Sequence, residues 1–426
     1  MSDASSDSWR FHMALTNCQE KAAKQFLSFL VTPEKHMVLS GSPGTGKTFM
    51  LNHMIEMLPN SHRIATIMGA EPITNIAVTA TTNKAAEVLQ ERFQSIDVRT
   101  IHSTLGLTVK DNYQTGETTT IKGKKFTPLK DTLVLMDEAS MADSSLLALL
   151  EEGTKHNCKI VFIGDHCQLA PVNEEKSPVF NSGYITSNLT TQMRTSNSPA
   201  LTLLNAQMRE TVETGVFRKI PHVPGVIDFV NADEMRALLT ENFIKEEKPN
   251  HKILAFTNNS VQQYNHFIRS EKGLPEQFLV GDTVVSNNVV EAGGSRTIIE
   301  KLYKVRAVGQ EIHEDMVKYY NVDVGLGRYL KQPLDYTEVT KLLKQFAAKK
   351  DWMNYFRLKN EFSDFRFAYA STVHKSQGST YDTVYIDLED ISVCRDLSQL
   401  ARMLYVAISR ATTRVVFYGT PPKYLR

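Results

Sequence analysis

The stretch Gly41-Ser42-Pro43-Gly44-Thr45-Gly46-Lys47-Thr48 sets glycines, a lysine and a hydroxyl in the spacing Gly-x4-Gly-Lys-Thr. Glycines let the backbone curl until successive N–H groups converge on an anion. A helix starting there adds the positive end of its dipole. In that arrangement Lys47 reaches the β- and γ-phosphates of ATP and the Thr48 hydroxyl ligates Mg2+. Further on, "LVLMDEAS" (133–140) ends an apolar run on Asp137 and Glu138. An acidic pair at a buried strand end is costly unless it meets a cation. Asp137 is therefore expected to hold the Mg2+ shell, and Glu138 to polarise the attacking water. "GDHCQLAPV" (164–172) offers Gln168, whose amide both donates and accepts and so can sense a γ-phosphate or its water. Arg194 in "LTTQMRT" (189–195) and Arg410 in "YVAISRATTR" (405–414) have the chemistry to spread transition-state charge and to couple domain closure to hydrolysis. Lys47, Asp137, Glu138, Gln168, Arg194 and Arg410 thus form the candidate catalytic set.

Such residues work together only if the fold brings them to one edge. "HMVLS" (36–40) precedes the glycine loop, and "KTFMLNHMIEML" (47–58) reads as a helix with Pro59 beyond its end. "IAVTATT" (76–82), "TLVLMD" (132–137) and "KIVFIGD" (159–165) have the look of parallel strands buried on both faces. The alternation describes an α/β domain with ligands at the carboxyl ends of its strands. "KILAFT" (252–257), "RFAYAST" (366–372), "TVYIDL" (383–388) and "RVVFYG" (414–419) predict a second parallel sheet. Two stretches interrupt the pattern. Residues 107–128 carry a Thr-Gly turn between Thr-rich arms and read as an exposed β-hairpin. Residues 275–360 begin with "FLVGDTVV" and "KLYKVRAVG", which suggest a small barrel, before the helical "TEVTKLLKQFAAKKDWMNYFRLKNEF". "IKGKKF" (121–126) reads as a solvated charged arm, and Trp352, Tyr355 and Phe356 as packing for the inserted helix.

At 426 residues the chain exceeds one ordinary core. Its formal charge of +1 means that a nucleic acid would be gripped by a local groove and not by a polycation. Four cysteines without a C-x-x-C pair argue against a zinc or iron–sulfur site and fit a reducing cytosol. No run of eighteen apolar residues occurs, and the polar, loose start "MSDASSDSWRF" lacks the order of a signal peptide. A soluble, cytoplasmic protein with no membrane partner is expected.

Taken in order, "LTNCQ" (15–19), the glycine loop, "VTATTNKAAEVL" (78–89), "TIHSTLGL" (100–107), "DEAS" (137–140) and "GDHCQLAPV" form the first half of a motif series. "LTTQMRT", "AFTNNSVQQYN" (255–265), "STVHKSQGSTYD" (371–382) and "YVAISRATTR" complete it. This series resembles the superfamily-one helicases, in their RecD-like branch, over nearly the whole chain. The resemblance implies two RecA-like motor domains with a β-hairpin pin inserted in the first and an SH3-like barrel in the second. On that reading the first domain covers 1–106 and 129–188, the pin 107–128, the second domain 189–274 and 361–426, and the barrel with its helices 275–360. It also implies an ATP- and Mg2+-dependent enzyme that moves 5′ to 3′ on single-stranded DNA and unwinds a fork. Gln19 matches the glutamine that reads adenine, Gly41 to Thr48 the phosphate loop, and Gly378 a γ-phosphate contact. Thr82, Asn83, Thr100, His102, Asn258, Thr372, His374 and Lys375 fall where the family contacts the DNA strand. Where the family's first DNA motif often reads Pro-Thr-His, this chain has Thr81-Thr82-Asn83.

A strand-tracking motor needs contacts that ignore sequence, and small polar side chains at strand ends supply them to phosphates. "TATTNK", "TIHST" and "STVHKSQG" are clusters of that kind. Three alternatives stay open at this point: RNA as the track, the opposite polarity, and a P-loop switch that does not translocate. The resemblance further implies action as a monomer in phage DNA replication or recombination, in the host cytoplasm if phage-encoded. Single-strand-binding or replication and recombination proteins would be its partners.

Overall fold

The computed structural model describes residues 15–67, 69, 71–171, 174–292, 295–314 and 317–420; the polar N-terminal stretch lies outside the described residues. The first lobe is built on a six-stranded parallel sheet. Its spatial order is Arg99–Thr100, Asn75–Ala80, Thr132–Asp137, Lys159–Gly164, His36–Gly41, Ile185–Leu189. Every residue of Thr132–Asp137 is buried, which is why that run reads apolar throughout. Ala80 pairs with Asp137, and Ser40 with Gly164, so the strands' carboxyl ends line up along one rim. Helices cover both faces: Phe26, Phe29, Met50 and Met54 pack on one side, and Leu105, Leu146 and Leu150 on the other.

The second lobe holds a five-stranded parallel sheet, in the order Ala370–Thr372, His251–Ala255, Tyr381–Asp387, Ala411–Tyr418, Ile227–Val230. Its main core gathers Leu201, Leu204, Met208, Leu404 and Phe417. Cys167 and Leu169, from the loop that leaves the first sheet's strand Lys159–Gly164, are buried in that same cluster. The two lobes therefore share hydrophobic surface at that loop.

The hairpin and the insertion are both present. Strands Leu107–Asp111 and Thr118–Lys122 pair antiparallel around a turn in which Asn112 Oδ1 accepts the N–H groups of Gln114 and Thr115, with Gly116 at φ +76°. In the insertion, one three-stranded antiparallel sheet (Leu302–Lys304, Thr283–Ser286, Phe365–Phe367) and another (Ala307–Glu314, Val317–Asp323, Leu330–Pro333) close over one core that includes Phe278, Val284, Tyr303 and Tyr320. Helices Tyr336–Ala348 and Trp352–Glu361 follow, broken where Lys350 takes φ +56°. The second helix reaches across to the first lobe's hairpin. Trp352 lies over Gly116, where an added Cβ would come 2.5 Å from its ring, and Tyr113 meets Phe356 edge-on at 5.1 Å.

Three local expectations need correction. The stretch 366–372 is not one strand: Phe365–Phe367 joins the barrel sheet, and only Ala370–Thr372 enters the parallel sheet. The reason is period-two burial, since Phe365 and Phe367 alternate into the barrel core. The helix after the glycine loop runs from Lys47 to Ile67 with Pro59 inside it, forgoing the one hydrogen bond that Pro59 cannot donate. The short strands Arg99–Thr100, Ile185–Leu189 and Ile227–Val230 lie at sheet edges, where a polar, half-exposed run carries little strand signal. No described helix is long and apolar enough to cross a membrane.

Candidate active site

The glycine loop leaves the strand His36–Gly41 and enters the helix that begins at Lys47, as its sequence requires. Gly44 and Gly46 take φ +87° and +88°, so a side chain at either would be strained. Space forbids it as well: a Cβ on Gly44 would lie 2.5 Å from Arg194 Cβ, and one on Gly46 2.7 Å from Gln19 Nε2. The loop is braced from outside, because Met193 N–H donates to Gly44 O at 2.8 Å and Gln192 Nε2 to Pro43 O at 2.8 Å. Inside it, Thr45 Oγ1 donates to Ser42 O at 2.8 Å. Lys47 Nζ folds back onto Gly41 O (2.7 Å) and Ser42 O (3.1 Å). Burial lowers its pKa, while Asp165, Glu138 and Asp137 pull the other way. Gln19 caps its own helix by accepting Thr16 N–H at 3.0 Å, and its Nε2 points at Thr45 O, 3.4 Å away.

Asp137 ends its strand with a carboxyl pushed up to about 6, first by burial and then by the neighbouring Glu138 charge. The Glu138 N–H, 2.8 Å from Asp137 Oδ1, opposes that rise. Glu138 itself sits at φ +53°, a left-handed turn that costs a side-chain-bearing residue about 1 kcal/mol. Thr81 Oγ1 helps to hold it by donating to Glu138 O at 3.0 Å.

The second lobe closes over these acids. Gln377 Nε2 donates to Glu138 Oε2 (3.1 Å), Gln168 Oε1 (3.0 Å) and Ser140 Oγ (3.2 Å). Gly378, at φ +79°, comes so near that an added Cβ would sit 3.8 Å from Glu138 Oε1. Arg194 Nη1 donates to Ser409 O at 3.1 Å, and Arg410 Nη2 to Ser409 Oγ at 2.9 Å, so one serine links both arginines. Burial, then the Arg410 charge, holds Arg194 down to about 10. Behind Gln168, Arg402 Nη1 donates to the carbonyls of His166 and Gln168 at 2.5 and 2.7 Å. Asp165, fully buried, accepts from Arg209 Nη1 and Tyr405 OH, each at 2.7 Å. Asp165, His166 and Cys167 stand close enough to tempt a metal assignment, but both Asp165 oxygens are taken and the guanidinium repels a cation.

A cleft of about 1180 Å3 is lined by Pro43, Gly44, Gly46, Lys47, Thr48, Asp137, Glu138, Gln168, Arg194, Gly378 and Arg410. The structure thus gathers most of the nucleotide set; Gly41, Ser42, Thr45 and Gln19 lie outside the cleft lining. The same cleft continues past Lys84 and Arg92 to Asn258, Thr372 and Lys375. Thr82, Asn83, Thr100, His102 and His374 do not line it. Thr82 caps the helix Asn83–Arg92 by accepting Ala85 N–H at 3.2 Å, and Thr100 caps Ile101–Leu105 through Ser103 N–H at 3.2 Å. Asn258 opens the helix after Thr257 and is exposed, its Oδ1 accepting from Arg366 at 2.8 Å. Asp390 fixes that corner by accepting Phe256 N–H, Thr257 N–H and Ser260 Oγ at 2.6 to 2.8 Å. Thr372 Oγ1 faces Lys375 N–H at 3.4 Å, His374 is exposed beside the Phe256 ring, and burial lowers the pKa of His102. Sequence reasoning passes over Gln377, Arg402, Tyr405, Arg209 and Asp165. A signal for Gln377 exists: like Gln168, it is a neutral amide in a polar run that follows a strand.

Two parallel α/β lobes closed around a phosphate-binding loop, with acids on one side and arginines reaching from the other, define a two-lobed RecA-like P-loop protein. Residues 20–174 match the AAA domain family, and residues 367–418 the UvrD-like helicase C-terminal domain family. The ATP-dependent DNA helicase Dda of enterobacteria phage T4 is 24% identical over 457 aligned positions, covering 95% of this chain and 99% of Dda. The RecBCD subunit RecD of Buchnera aphidicola (subsp. Schizaphis graminum) is 22% identical, over 91% of this chain and 71% of its own. The fold is that of Pif1 helicase from Bacteroides, solved with ADP-AlF3 and ssDNA (TM-score 0.53, 19% identity, 97% and 94% coverage). Pif1 from Candida albicans matches with TM-score 0.51 at 17% identity over 97% and 96% of the two chains. The chain is homologous to the superfamily-one helicases of the Dda, RecD and Pif1 type.

Proposed function

We propose that this protein is an ATP-dependent DNA helicase that translocates 5′ to 3′ along single-stranded DNA and unwinds the duplex ahead of it. The observation that carries the reading is the cross-lobe assembly of the nucleotide cleft, in which Glu138 and Gln168 meet Gln377, Arg194 and Arg410. Charge in phosphoryl transfer spreads over the γ-phosphate oxygens, so donors fixed around that group lower the barrier. Lys47 exchanges its loop carbonyls for the β- and γ-phosphates, Glu138 orients the attacking water, and the two arginines draw the second lobe inward. Phosphate release then frees that lobe. The oxygen donors Thr48 and Asp137 suit a hard cation, and a buried carboxyl raised by its neighbour's charge favours one. They would hold a Mg2+, which neutralises phosphate charge when bound.

The strand's path follows the polar ends of the sheets. Thr82 and the Thr257–Asn258 corner stand at helix N-termini, where backbone N–H groups favour phosphates. Lys375 and Thr372 supply the second lobe's grip, and Thr100, His102, Asn83 and His374 extend it. Dda is a phage helicase by name, and by likeness to it this chain serves phage DNA replication or recombination as a monomer in the host cytoplasm, with single-strand-binding proteins as partners.

The hairpin is the candidate wedge, and the helix Trp352–Glu361 props it. Trp352→Ala removes the indole over Gly116 and lets the hairpin sway. Unwinding of a forked duplex should fall several-fold, while ATP turnover on single-stranded DNA stays within about twofold, because the nucleotide cleft is untouched. Equal loss of both rates would make the contact a general support of the fold.

Matched duplexes with a 5′ or a 3′ single-stranded tail test the main reading. ATP-dependent unwinding of the 5′-tailed duplex alone is expected; unwinding of the 3′-tailed one alone would reverse the polarity. ATP turnover without strand separation on either would leave a nucleotide switch.

A further inference from the structure

We propose that Gln377 is a positioning residue for ATP hydrolysis, supplied by the second lobe to hold Glu138 and Gln168 in their working orientation when the lobes are closed. The assignment rests on the ATPase reading above. One amide nitrogen meets three acceptors on separate segments of the first lobe: Glu138 Oε2, Ser140 Oγ and Gln168 Oε1, at 3.0 to 3.2 Å. The amide cannot be turned round, because a carboxylate oxygen and an amide oxygen only accept, and a flip would set oxygen against oxygen. Gln377 is only 8% exposed and Gln168 only 3%, so bulk water does not stand in for these bonds. Its Oε1 has no hydrogen-bond partner although it is buried. An unmet acceptor of that kind costs about 1–3 kcal/mol, and it leaves the pocket with one free site for an O–H donor.

The position in the chain explains what this would achieve. Gln377 follows the single turn His374–Ser376, two residues after Lys375, and precedes Gly378. Ser376 Oγ, donating to Val373 O at 2.7 Å, stiffens the turn. A strand gripped at Thr372 and Lys375 therefore sets the place of Gln377 directly. In the reaction the water oxygen bonds to the γ-phosphorus and the bond to the bridging oxygen breaks, its electron pair leaving on ADP. The water proton passes to Glu138. Gln377 takes no proton; it fixes the rotamer of the carboxylate that does, and the amide of Gln168 beside it.

The full chain is assayed with ATP, Mg2+ and a thymidine oligonucleotide. Q377M keeps the volume and loses the donor; Q377E keeps the shape and sets a second carboxylate against Glu138. Misplacement of a catalytic group by about 1 Å can slow a reaction about 100-fold. Both variants should lose about that factor in DNA-stimulated kcat, down toward the DNA-independent rate. KM for ATP, oligonucleotide affinity and the thermal midpoint should stay near wild type. A space-filling role predicts that Q377M turns over normally; more than half of wild-type kcat in Q377M overturns the proposal. So does a loss that arises wholly through KM, oligonucleotide affinity or unfolding. Absence of DNA-stimulated turnover in the wild-type chain would instead remove the ATPase reading beneath it.

Discussion

Lys47→Ala is expected to abolish DNA-stimulated ATP hydrolysis, by about 10²–10³-fold or more, and to leave oligonucleotide affinity within about twofold. The ammonium is the cation in this chain that the loop itself carries to the β- and γ-phosphates. Its present bonds, to Gly41 O and Ser42 O, are internal to the loop and easily exchanged for phosphate oxygens. The loop keeps its shape without them, since Met193 N–H and Gln192 Nε2 brace it from the neighbouring segment. Oligonucleotide contacts lie elsewhere, around Asn258, Thr372 and Lys375. Turnover and fluorescence anisotropy on a labelled oligonucleotide separate the two effects. Parallel loss of both would make Lys47 a structural brace.

Arg410→Ala should retain nucleotide binding and lose turnover, by about 10³-fold on the scale of other arginines that stabilise a transferring phosphoryl group. The structure adds a complication. Arg410 is fully buried and makes its bonds within its own lobe, to Val406 O, Ser379 O and Ser409 Oγ at 2.9 to 3.2 Å. Alanine would strand those acceptors and lower the thermal midpoint as well. Arg410→Lys resolves the ambiguity, because it keeps a cation but not the planar fork. A slow Lys variant with a near-normal midpoint supports transition-state contact. Unchanged turnover in the Ala variant excludes it.

The nucleotide half of the site was legible because its chemistry is local. Gly41 to Thr48 and Asp137-Glu138 each fall at the end of an apolar run, and parallel strands align their ends by geometry alone. Two sheets, a hairpin and an inserted barrel could be read for the same reason, from period and punctuation. What stayed hidden is non-local. Gln377 acquires meaning only when a strand from the second lobe brings it 3.1 Å from Glu138. Asp165 looks like an ordinary strand-end carboxylate until Arg209 and Tyr405 fold onto it. The edge strands and the split at 365–372 depended on which sheet captured each segment, and no local pattern of hydrophobicity records that choice. Pro59 misled in the opposite direction: a residue that usually stops a helix is carried through one.

Cys167 and Leu169 leave the first sheet yet lie in the hydrophobic centre of the second lobe, with Gln168 between them turned to the cleft. The halves of this machine are therefore not interchangeable modules. A fragment ending near residue 188 would carry two greasy side chains into water and, by the same stroke, leave the other half with a hole where they belong. Anyone hoping to swap one half for a relative's must transplant that short loop with the half that receives it.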